Sequence, residues 1–144
     1  NFRTVMTGEM FALLSEHSVL RHSVGRNIAG DTLDEAAFIR GVLHALDAGE
    51  TAFAALFALR AESLLNATPS STLRSRLSGL LIGIELAATR DFWSGHKVTL
   101  IGAGPLTTLY ARALSELGST PHIEDGRDLA LCGLHAAYSH MFEP

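Results

Sequence analysis

The chain has 144 residues, 47% hydrophobic and 18% charged, with a formal net charge of -4, which suits one domain with a real core. Its 11 scattered Lys and Arg and 7% aromatic content argue against a nucleic-acid surface. A lone cysteine, Cys132, excludes an internal disulfide and fits a cytoplasmic setting, and no apolar run reaches the roughly 18 residues of a membrane span.

In chain order, Phe2–Met6 predicts a short strand. The chain opens without a methionine, which suggests further polypeptide upstream. Thr7 is placed as an N-cap, with Gly8 beside it and Glu9 in the first turn of a helix running on through Met10–Leu14. His17–Val24 adds a turn or two of helix, and Gly25–Gly30, with Asn27, reads as a loop. Asp31 or Thr32 caps the next helix, with Asp34 and Glu35 well placed for its dipole. Phe38, Val42, Ala45 and Leu46 form its apolar stripe, and Gly49 ends it. A helix over 50–65 follows, apolar at Phe53, Leu56, Phe57, Leu59 and Leu64, with Arg60 expected in a structural salt bridge.

After a break at Asn66–Pro69, Ser70 or Ser71 caps a third helix with Leu73, Leu77, Leu80, Leu81, Ile84 and Ala88 on one face. Gly79 and Gly83 lie four residues apart on it, each costing about 1 kcal/mol against alanine. Close packing of another helix backbone on Ser78, Gly79 and Gly83 is the favoured explanation, with the adenine edge beside Gly102 a near second. Glu85 reads as solvated or as a packing partner. Arg90–His96 is a polar turn around Trp93 and Gly95.

The strand Val98–Ile101 then meets Gly102-Ala103-Gly104 and feeds a helix from Pro105 to Leu117, with Gly118 as its C-cap. Thr120–Ile123 is a second strand, Asp125-Gly126 a turn, and Asp128–Phe142 a closing helix with Cys132 as a buried small hydrophobe. Because Val98–Ile101 is apolar on both faces, it reads as a central parallel strand.

The glycine junction fits two nucleotide architectures. One is a dinucleotide-binding unit, with Glu124 or Asp125 as the ribose acid about 20 residues on. Thr107 stands where the third glycine of that fingerprint belongs, and one β-α-β-α stretch is short for the fold. The other is the adenosine-binding turn of the actin/hexokinase-like (ribonuclease H-like) kinase fold, which needs no third glycine and which the order of elements favours. Either way, bare glycine admits a ligand to the backbone, and first-turn amides favour a polar group.

The block Thr4-Val-Met-Thr-Gly-Glu-Met-Phe-Ala-Leu-Leu-Ser-Glu-His-Ser-Val-Leu20 is followed by Ala37–Val42, Leu56–Arg60, Leu77-Ser-Gly-Leu-Leu-Ile-Gly-Ile-Glu-Leu86 and Val98–Ala103. In that order these pieces resemble 2-dehydro-3-deoxygalactonokinases along nearly the whole chain. The resemblance implies an α/β, helix-rich C-terminal lobe of a two-lobed sugar-acid kinase, with a helical region at about 31–90 and an adenosine-binding strand-turn-helix at about 97–118. It implies ATP and Mg²⁺ as cofactors, and phosphorylation of 2-dehydro-3-deoxy-D-galactonate at its 6-hydroxyl.

The family's N-terminal lobe, with its phosphate loops and catalytic carboxylate, is expected upstream of Asn1, so this chain alone should not catalyse phosphoryl transfer. The nucleotide contacts fall to Gly102, Ala103 and Gly104, with Thr7, Gly8, Glu9, Ser78 and Gly79 as further candidates. Glu9 is equally well read as a first-turn dipole partner. The seven histidines show no metal-ligand spacing, so no metal site is assigned to this chain. The remaining alternative is a non-catalytic helical assembly module, or a homodimer, built from the Ala-, Leu- and Phe-rich helices between Thr32 and Arg90.

Overall fold

Two bare glycines on one helix need a backbone to meet, and that meeting organises the first of two units. The computed structural model describes residues 2–25 and 32–142. They divide into Asn1–Arg90 and Asp91–Pro144. The first unit is helical: α1 (Thr7–Glu16), α2 (Arg21–Val24), α3 (Glu35–Ala48), α4 (Ala52–Asn66) and α5 (Ser70–Ala88), with a 3-10 turn at Gly49–Thr51.

The helices α3 and α5 touch backbone to backbone. A Cβ built on Gly79 would lie 2.0 Å from the Phe38 carbonyl oxygen, and one on Gly83 would lie 2.7 Å from that of Val42. Gly41 answers from α3, with the Arg76 carbonyl 2.6 Å from where its Cβ would stand. The expected helix packing is therefore present, and it needs a third glycine that spacing did not single out. Leu73, Leu77, Leu80 and Ile82 are fully buried around this contact, with Phe38, Val42 and Ala45 facing them from α3.

The start of α3 is fixed by Asp34, not by Asp31 or Thr32. Asp34 Oδ1 accepts from the Ala37 amide at 2.9 Å and Oδ2 from the Thr72 hydroxyl at 2.9 Å. Its own amide donates to Ser75 Oγ at 3.0 Å, so this cap also ties α3 to α5. Asp31, and the expected loop beyond Gly25, lie outside the described residues.

Several expectations are corrected. Phe2–Met6 is irregular and exposed, because a strand needs a ladder partner and none among the described residues pairs with it. Thr7 is the first helical residue of α1, and Met6 takes the N-cap place without a side-chain bond. Pro69, not Ser70 or Ser71, occupies the N-cap of α5. On α4 the inward face is Ala52, Leu56 and Leu59, while Phe53, Phe57 and Leu64 point to solvent. Ala88 is exposed at the end of α5. Arg60 donates to the Ser23 hydroxyl at 3.4 Å in place of the expected carboxylate. The cross-helix ion pair is formed instead by Arg76 and Glu62, at 2.5 Å.

The second unit begins within a short helix, α6 (Arg90–Trp93), where a polar turn was expected. It holds β1 (Thr99–Ile101), α7 (Pro105–Glu116), β2 (His122–Glu124) and α8 (Gly126–Phe142). The strands pair in parallel, Thr99 with His122, Leu100 with Ile123 and Ile101 with Glu124. β1 has one neighbour among the described residues, so it is not central there, and Ile101 is 66% exposed. Gly118 closes α7 with φ +82°: its amide reaches the Ser115 carbonyl at 3.1 Å and the Ser119 amide reaches Leu114 at 2.9 Å, a Schellman ending. Cys132 is exposed, against expectation, because α8 buries none of its residues.

Candidate functional site

Parallel pairing puts the carboxyl ends of β1 and β2 at one end of the sheet, the end at which open α/β sheets bind ligands. The turn after β1 begins with Gly102, whose amide extends the ladder to the Glu124 carbonyl at 3.1 Å. A Cβ on Gly102 would lie 2.7 Å from Thr107 Oγ1. The residue standing in for the third glycine of a dinucleotide fingerprint therefore fills the space over the first. Ala103 is exposed. Gly104 has φ +84° and ψ -165°, a region that side chains avoid, and space is open within 4 Å of where its Cβ would be.

Gly104 is also the N-cap of α7, which has Pro105 in its first turn, no side-chain cap and no acid in that turn. The other helix at this end differs. Asp125 Oδ1 accepts from the Arg127 amide at 2.7 Å and the Asp128 amide at 3.3 Å, so the start of α8 is closed by its own chain. Glu124 is also engaged, with His122 Nε2 at 2.9 Å from Oε1. Both acids that a dinucleotide reading would place on a ribose thus have protein partners. The start of α7, by contrast, has no side-chain cap.

The remaining candidates lie in the helical unit. The Thr7 hydroxyl donates to the Glu85 carboxylate of α5. Gly8 is exposed with open space beside its Cα, and Glu9 is exposed in the same turn. Ser78 is half-buried. Gly79 is buried, and its bare side is occupied by the α3 backbone. Among the described residues no group of three or more His, Cys, Asp or Glu could hold a metal ion. None of their helices is long and apolar enough to cross a membrane.

A groove of about 320 Å³ is lined by Trp93, His96, Lys97, Leu117 and Ser119 among others. It sits before β1 and after α7, at the amino end of the strand and so opposite the glycine turn, and its volume alone does not make it the site. Sequence reasoning missed the Thr107 contact, the Thr7–Glu85 bond and the unequal capping of α7 and α8. The last was legible, because an Asp just ahead of a helical run is a start signal.

The sequence model of the 2-keto-3-deoxy-galactonokinase family matches residues 1–137. The chain is 37% identical over 139 residues to a probable 2-dehydro-3-deoxygalactonokinase of Rhizobium meliloti (strain 1021), covering 94% of this chain and 44% of that protein. It is 35% identical over 119 residues to the 2-dehydro-3-deoxygalactonokinase of Escherichia coli (strain K12), covering 82% and 39%. A crystal structure of a 2-dehydro-3-deoxygalactonokinase-type protein from Sinorhizobium meliloti matches with a TM-score of 0.89 at 34% identity, over 100% of this chain and 48% of that one. The chain thus spans less than half the length of these relatives.

Proposed function

The chain belongs to the 2-keto-3-deoxy-galactonokinase family, and from that premise we propose that it forms the nucleotide-binding lobe of a sugar-acid kinase of the actin/hexokinase-like class. The reaction we assign to the whole enzyme is ATP-dependent phosphorylation of 2-dehydro-3-deoxy-D-galactonate at the 6-hydroxyl. The observation that carries this lobe's role is the uncapped glycine turn at the carboxyl end of two parallel strands.

Phosphoryl transfer is mostly positioning and charge neutralisation. In this reading Gly102, Ala103 and Gly104 form a flat backbone floor for adenosine. Gly104 lets the chain turn away without a side chain over the ligand, and the first-turn amides of α7 face polar atoms of the nucleoside or its phosphates. Gly8 and Glu9 are second candidates, since a bare, open glycine in a first helical turn leaves room for a ligand. The packing of Gly79 on α3 accounts for its missing side chain, so Ser78 and Gly79 add less to the nucleotide reading. Mg²⁺, when bound, neutralises phosphate charge. Such an ion is held largely by phosphates and water. The base for the sugar hydroxyl is assigned to the remainder of the kinase.

Kinetics of the whole kinase carrying Ala103→Leu test this. Ala103 is exposed, so the added bulk falls on the proposed platform. The expected result is a rise of roughly tenfold or more in the ATP KM, with the sugar-acid KM nearly unchanged. An equal rise in both constants would remove the adenosine assignment. Gly102→Val is less clean, because its side chain would strike Thr107.

A further inference from the structure

The turn after β1 holds a polar group that its own chain leaves unused. Thr107 is half-buried in the first turn of α7, with its Oγ1 2.7 Å from where a Cβ on Gly102 would stand. Thr7, Thr72 and Thr89 are also half-buried, and they spend their hydroxyls inside the fold, on the Glu85 carboxylate, the Asp34 carboxylate and the Glu85 carbonyl. The Thr107 hydroxyl has no hydrogen-bond partner among the described residues. Its surroundings are uncharged, since residues 102–108 carry no acidic or basic side chain. Pro105 opens α7, so the amide that a phosphate would meet at that position is missing. Ala103 is exposed and Leu106 is 49% exposed, so the turn also offers apolar surface.

We propose that the Thr107 hydroxyl is the specificity-determining polar contact of this turn, and that it bonds the uncharged part of the nucleotide, its ribose or base, and not a phosphate. The inference rests on the adenosine reading of the turn and adds a residue to it. A phosphate is held where cations and several free amides converge. This turn has no cation and one amide fewer. A nucleoside needs apolar surface for its ring and a few neutral hydrogen bonds that fix its orientation. Ala103 and Leu106 supply the first, and Thr107 supplies the second. A hydroxyl both donates and accepts, so it suits a ribose hydroxyl or a ring nitrogen. The same side chain fills the space beside Gly102 that a glycine at 107 would leave open, so one residue both shapes the turn and reads its ligand.

Kinetics of the whole kinase carrying Thr107→Val or Thr107→Ser test it, beside Ala103→Leu and with Tm as the check on folding. Thr107→Val removes the hydroxyl at nearly constant shape and should raise the ATP KM roughly three- to tenfold, with the sugar-acid KM and Tm nearly unchanged. Thr107→Ser keeps the hydroxyl and should stay near the parent. Thr107→Ala gives the same readout if the valine variant folds poorly. Adenosine, which has no phosphate, should compete with ATP on the parent kinase, and Thr107→Val should weaken that competition by the same factor. An ATP KM that rises without a matching loss of adenosine inhibition, or adenosine that does not compete, gives the hydroxyl to a phosphate and overturns the proposal. So does a fall in Tm with equal rises in both KM values, the mark of a structural role. If Ala103→Leu raises the ATP KM while Thr107→Val and Thr107→Ala do not, this inference falls and the adenosine platform stands. If none of the three raises it, the platform itself falls, and this inference with it.

Discussion

The helical unit and the strand-containing unit are built from similarly apolar sequence, yet they bury it very differently. Around α3 and α5, whole side chains and three glycines disappear into one contact. In the second unit, Trp93, Ala113 and Leu114 are the buried apolar residues among those described. α8 exposes Leu131, Leu134, Tyr138 and Met141. Apolar content permits a core, but only a facing surface makes one. The first unit contains its own facing surfaces, whereas the second shows a two-stranded sheet and an uncovered helix.

That contrast can be broken by substitution. Phe38→Ala should lower stability by about 3–5 kcal/mol, while Leu134→Ala, at a site 69% exposed, should change it by about 0.5 kcal/mol or less. Denaturant titration followed by circular dichroism compares them. Comparable losses would mean that α8 is covered in solution. Next in size, Gly79→Ala must push α3 and α5 apart, for about 3 kcal/mol. Gly133→Ala on α8 meets open space and should instead stabilise by roughly 0.5–1 kcal/mol. Opposite signs for one chemical change are the sharpest form of the comparison, and Tm shifts in the same direction would erase it.

The Asp34 cap offers a pH test within the first unit. Its carboxyl is held below the ordinary carboxylate range, first by the Ala37 amide, then by the Thr72 hydroxyl, with Arg40 adding a favourable charge. A lowered folded pKa means the contribution is fully present above the unfolded value near 3.9 and is lost as pH falls through the folded one. Asp34→Ala should therefore cost about 1 kcal/mol near neutral pH and progressively less below about pH 4. Asp34→Asn should keep most of the cap and flatten that pH dependence. A constant deficit for Asp34→Ala down to pH 2 would contradict the cap's role.

Much of the fold is legible from local rules. Period and punctuation place α3, α5, α7 and the strand–glycine junction within a few residues of where they stand, and Gly118 closes α7 as its sequence predicts. The strand–glycine–helix turn at Gly102, Ala103 and Gly104 is likewise legible, and its role as a nucleotide floor is the proposal that the family resemblance adds. Other features were not. α4 carries two apolar arcs, and periodicity cannot choose which one faces inward. Phe2–Met6 has strand-like residues, but a strand exists only when another pairs with it.

The sequence by itself determined the helices, the turn and the kinase family, because capping, periodicity and glycine spacing act over a few residues. Tertiary structure alone decided that Gly41 completes the contact of Gly79 and Gly83, and that Thr107 closes over Gly102. It also decided that Phe53 and Phe57 face outward. Each of these depends on which surfaces meet, and that is set by shape and burial between elements distant along the chain or packed across a turn.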